Sequence, residues 1–72
     1  MAAEQIKTAL EQVPFKPFTI HLPNGRTAAV PHRDFASVHP NGRTIVIHDE
    51  RGGSRILDTM LVTEIQFSDA PA

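Results

Sequence analysis

A pentapeptide that occurs twice restricts the fold more than any other feature. Pro23-Asn24-Gly25-Arg26-Thr27 returns unchanged as Pro40-Asn41-Gly42-Arg43-Thr44. Each copy follows a histidine (His21 nearby, His39 directly) and is succeeded by a short apolar run. Such a segment is a hairpin turn. An Asn-Gly pair between strands ordinarily closes a two-residue loop. The proline argues against that here, because Pro23 would then end a strand where a backbone N–H is needed. A three-residue loop suits it better. Pro23 and Asn24 take the central positions of a type I turn, and Gly25 takes the left-handed bulge. Leu22 then pairs with Arg26, Ile20 with Ala28 and Phe18 with Val30. Ala28 and Val30 thereby join Phe18, Ile20 and Leu22 on one face; the two-residue register would turn them away.

The same rule applied to the second copy sets Ser37 opposite Ile45 and Phe35 opposite Ile47. On the other face Ala36 meets Val46, Val38 meets Thr44, and Asp34 meets His48. Ala36, Val38 and Val46 are then expected to face outward.

The remaining elements follow from periodicity. Residues 3–13 read as a helix, with Ile6, Leu10 and Val13 on one stripe beside Ala9. Glu4 suits its N-terminus, and Pro14 and Pro17 end it. Phe18 to Leu22 is the first strand. Pro31-His32-Arg33 interrupts the second, which resumes at 34–38 or forms a short helical turn first. Residues 43–48 are the most strand-like of all. Asp49 to Gly53 is a polar turn, 54–58 a strand, 59–62 a tight turn or a continuation, and 63–67 the last strand. Residues 68–72 read as a flexible tail. The sum is a mostly-β chain: an N-terminal α-helix, then five antiparallel strands over 18–67. Strands so short and evenly spaced curl into a small barrel.

At 72 residues the chain is one domain. A domain of this size buries only about 60 % of its unfolded surface, so its core is small. With no cysteine, neither disulfides nor a thiolate metal site can supplement it, and a cysteine nucleophile is excluded. Seven Lys+Arg against eight Asp+Glu give a formal charge of -1, which disfavours a strong electrostatic nucleic-acid binder. No apolar run approaches the roughly 20 residues that cross a bilayer. The first residues lack the basic and apolar regions of a signal peptide. A soluble, cytoplasmic protein without a membrane partner is the expectation.

The order helix, hairpin, hairpin, then 56–67 with a one-turn break before the last strand resembles an SH3-like barrel of the Sm type. The stretch Pro14-Phe15-Lys16-Pro17-Phe18-Thr19-Ile20-His21-Leu22, with Asn24-Gly25-Arg26 after it and Leu61-Val62-Thr63-Glu64-Ile65 at the close, also resembles small uncharacterised bacterial proteins. The first resemblance implies a fold; the second brings no activity with it.

Few constellations carry chemistry. His21, His32, His39 and His48 all lie near hairpin ends, and converging imidazoles would bind a transition metal. Their spacing shows no helical i, i+4 pair and no tight cluster, so neither a metal nor another cofactor is expected. Asp34 opposite His48 would orient an imidazole, but Ser37 falls on the other face, leaving no nucleophile. His32-Arg33-Asp34 spells a kinase triplet without the glycine loop or downstream asparagine that kinases need. Arg51-Gly52-Gly53 is a single unit of a motif that works as a repeat.

Two candidate surfaces remain. Arg26 and Arg43 follow the turns equivalently, and together they would fork a phosphate or carboxylate. Lys16 and Arg33, with Arg51 and Arg55, would extend that patch toward an anion or a nucleic acid. Scarce aromatics count against nucleic acid, whose bases need exposed rings to stack on. The second surface is apolar. Val38 and Val46 face outward, and Met60, Leu61 and Val62 are consecutive and cannot all point inward. The last strand adds a free edge. The sequence therefore points to a non-enzymatic binding or assembly module, with a second copy or another protein as partner; the alternative is an Sm-like protein binding nucleic acid or an anionic ligand.

Overall fold

The computed structural model describes residues 1–68. These residues run through one helix and six strands: α1 (Ala3–Glu11), β1 (Phe18–His21), β2 (Thr27–Val30), β3 (Ala36–Val38), β4 (Thr44–His48), β5 (Ser54–Asp58) and β6 (Glu64–Phe67). Single 3-10 turns at Arg33–Phe35 and Thr59–Leu61 carry it from β2 to β3 and from β5 to β6. The strands form two three-stranded antiparallel sheets, ordered β2-β1-β6 and β3-β4-β5. The mostly-β class is as expected, but the strands number six rather than five and their ladders do not close a barrel. The cause is the kink at Arg33–Phe35. It splits the expected second strand into β2 and β3, which pair in different sheets.

The helix is shorter than its periodicity suggested. It ends at Glu11, and Val13 is 89 % exposed, leaving Ile6, Ala9 and Leu10 as its buried face. The Arg33 side chain, on the kink between the sheets, donates from Nε to the Leu10 carbonyl at 2.7 Å and from Nη2 to the Gln12 carbonyl. A cation on the last carbonyls of a helix is favoured by hydrogen bonding and by the helix dipole. The helix thus docks against β3 and completes a core of Phe18, Ile20, Val30, Ile45 and Ile47.

The first hairpin has the expected register, with Phe18 opposite Val30 and Ile20 opposite Ala28. Leu22 N–H donates to Arg26 O at 3.0 Å, and Gly25 has a φ of 82°. The second hairpin does not repeat it. Ala36 pairs with Ile47, Ser37 with Val46 and Val38 with Ile45, one residue away from the expected pairing. Its closing bond runs from His39 N–H to Thr44 O at 2.8 Å, so Arg43 joins the loop. Thr59 is the reason. It is buried at 1 % exposure. Its N–H donates to Arg43 O at 2.9 Å and its hydroxyl to Gly42 O at 2.8 Å, taking the Arg43 carbonyl out of the ladder.

The slip turns β3 over. Ala36 is buried and Val38 is half-buried against the core, rather than facing outward. Asp34 does not meet His48; it sits exposed in the kink, and His48 lies opposite Ser54 of β5. At the chain's end, Ser68 N–H donates to Pro17 O at 2.9 Å. The rest of the expected tail, 69–72, lies outside the described residues.

Candidate interaction surface

β5 is an edge strand, paired among the described residues only with β4. Its alternation is set by Ile45 opposite Leu57 and Val46 opposite Ile56. Leu57 leans into the core, so Ile56 must point out, and it is 72 % exposed. The 3-10 turn after β5 is capped by Asp58, whose Oδ1 accepts the Met60 N–H at 2.9 Å. That turn puts Met60 and Leu61 outside at 66 % and 56 % exposure and drives Val62 into the core at 3 %. Opposite it stands the first turn. Leu22 and Pro23 face Ile56, Leu57 and Leu61 across an open groove of about 320 Å³. Its walls are apolar, and its rim carries Asn24 and Asp58.

The expected apolar surface is therefore partly in place. Met60 and Leu61 belong to the exposed face, and Leu61 lines the groove. Val46 is half-buried on the outer face of its sheet, beside Ile56. Val38 and Val62 turn inward and are not available to a partner. Ile56, the most exposed apolar residue of the strands, is not among the residues the sequence marks as exposed. Adjacent Ile56 and Leu57 in one strand was the available signal, since one of the two had to face out.

The basic candidates separate. Arg33 is spent on the end of α1, with its guanidinium also 5.6 Å from the Phe15 ring centroid. Arg43 reaches Asp58 at 3.9 Å across exposed surface. Arg26 and Lys16 are exposed. Arg55 turns back between the sheets, where Nη1 donates to the Thr27 carbonyl at 2.8 Å. The two turn arginines thus differ in surroundings despite their identical sequence context.

The histidines stand apart in their contacts. His21 Nε2 lies 3.0 Å from Gln66 Oε1, and His48 Nδ1 lies 3.1 Å from Ser54 Oγ. His39 Nδ1 accepts the Asn41 N–H, and His32 stacks against Phe35 at 5.5 Å. Among the described residues no three His, Asp or Glu side chains are placed to hold one metal ion. Nor is any helix there long and apolar enough to cross a membrane. No family model matches the chain, and neither a curated protein nor a solved structure matches it.

Proposed function

We propose that this chain is a non-enzymatic assembly module that binds a second copy of itself along β5. One observation carries the reading: Ile56 stands 72 % exposed in the middle of an edge strand, above an apolar groove. Covering one such side chain stabilises a complex by about 1.5–3 kcal/mol. Leu61 and Met60 extend the same face. The unpaired edge of β5 supplies backbone donors and acceptors to an added strand. A second edge lies at β6, which among the described residues pairs only with β1 and carries Phe67 at 45 % exposure. Joining the β5 edge of one copy to the β6 edge of the next is a head-to-tail contact, and such contacts build rings when the rotation closes. The strand order, with kinked corners between sheets, supports reading the fold as an SH3-like, Sm-like barrel left open at its seams.

Light scattering across a protein concentration series tests the proposal. The mass should rise above the 7.9 kDa monomer, and Ile56→Glu should return it to that value while leaving the far-ultraviolet circular dichroism spectrum of the folded chain unchanged. A wild-type chain that stays monomeric at the highest concentration would refute it.

A further inference from the structure

A second cavity, of about 460 Å³, opens between the sheets, lined from β2, from β4 and the turn after it, and by Arg55. Its size falls within the roughly 300–1,000 Å³ of small-ligand sites. Pro31, Phe35 and Ile47 give it an apolar wall. Arg55 stands beside that wall. It lies opposite Ile47, on the core-facing side of β5, where an apolar residue would ordinarily stand. Its Nη1 holds the Thr27 carbonyl, while its Nη2 is buried with no hydrogen-bond partner among the described residues. A buried guanidinium nitrogen left in that condition calls for an acceptor.

The mouth of the cavity narrows the class of acceptor. Arg51 stands there with His48, and so do Asp49 and Glu50. Asp49 Oδ1 is engaged within its own turn, accepting the N–H groups of Arg51 and Gly53 at 2.9 and 2.8 Å. Two cations and two carboxylates leave no net positive field for a phosphate dianion or a polynucleotide. One guanidinium beside an apolar wall suits a single negative charge attached to an apolar body.

We infer that this cavity binds a small monocarboxylate, its carboxylate held by the Arg55 guanidinium and its apolar body seated on Pro31, Phe35 and Ile47. Turning the guanidinium toward the cavity gives Nη2 its acceptor and presents the planar two-point fork that carboxylates match. The inference does not depend on self-association, since the groove beside Ile56 and Leu61 and this cavity share no lining residue.

Hexanoate is the probe, titrated into the full chain and followed by amide and arginine Nε–H resonances. Saturable shifts should centre on Thr27 to Ala29, Ile47 to Arg55 and the Arg55 Nε–H, with a dissociation constant of roughly 10 mM or tighter for a ligand of this size. Hexanamide, which lacks the charge, and inorganic phosphate, which lacks the apolar body, should each bind at least about tenfold more weakly. Arg55→Met, which keeps the stem but not the charge, should lose the same factor or more. Arg55→Lys keeps stem and charge but not the fork; it should also weaken binding, and it carries the test if Arg55→Met does not fold. Shifts that map elsewhere, phosphate binding as tightly as hexanoate, or unchanged affinity in either folded variant would overturn the inference.

Discussion

The two Pro-Asn-Gly-Arg-Thr turns share two bonds and a glycine conformation, and differ in what the rest of the chain does to them. In each, the glycine N–H returns to the residue before the proline, at 3.1 Å for Gly25 and 2.8 Å for Gly42. In each, the asparagine Oδ1 accepts the arginine N–H, at 3.0 and 2.8 Å. Both glycines sit at positive φ, 82° and 72°. They part at the arginine carbonyl. Arg26 O stays in the hairpin, bonded to Leu22 N–H, whereas Arg43 O is taken by Thr59. The first turn is left open at the surface, flanking the groove. The second is fixed between the Thr59 corner and the start of α1, where a Cβ on Gly42 would lie 3.5 Å from that of Ala3. Identical sequence fixes the turn; tertiary bonds fix the register and decide which turn borders a free surface.

Substituting the glycines should separate the turns most strongly. A valine at positive φ costs about 1–2 kcal/mol in backbone strain alone. Gly25→Val should lose about that much, since open space surrounds it. Gly42→Val adds branched carbons against α1 and should lose about 3 kcal/mol, an overpacking cost included. Urea unfolding of both variants checks the order, and equal losses would mean the second turn is no more constrained than the first.

The bonds that distinguish the second turn come next. Thr59→Val removes a buried hydroxyl from Gly42 O and should cost about 1–3 kcal/mol, with the unpaired carbonyl as the main term. Thr63 makes a comparable bond, hydroxyl to His21 O at 3.0 Å, but is exposed. Thr63→Val should therefore change stability by less than about 0.5 kcal/mol. Similar losses in thermal melts of the two would remove burial from the explanation.

The arginines give the smallest contrast. Arg33→Gln should cost about 1–2 kcal/mol, because two carbonyls at the end of α1 lose a charged donor. Arg26→Gln, at the open turn, should stay within about 0.5 kcal/mol. Far-ultraviolet circular dichroism during melting would show the first variant losing helix early. Equal behaviour would contradict the role assigned to Arg33.

How much of this was legible follows from the range of the interactions. The first hairpin could be read from turn chemistry and alternation together, and both are local. Transferred to the second, the turn rule alone gives the wrong register. Its own alternation held the answer, since only the observed register sets Ala36 and Val38 on the same face as Ile47 and Ile45. What forces that register, Thr59 on the Gly42 and Arg43 carbonyls, joins segments far apart in sequence and leaves no periodic signal. The same holds for Arg33, which read as a free cation and is a helix cap, and for Arg55, whose inward position breaks the usual polar-out pattern. The apolar surface was half legible. Three consecutive apolar residues at 60–62 announced exposure, but only the Asp58-capped turn decides that Val62 is the one buried.

The most direct test of the open-surface account is amide hydrogen exchange along β5, measured at low and high protein concentration. If a second copy adds a strand there, the outward amides of Ser54–Asp58 should gain protection as concentration rises. Those of the second turn, already held within the fold, should not change. Exchange along β5 that is fast and independent of concentration would contradict the account.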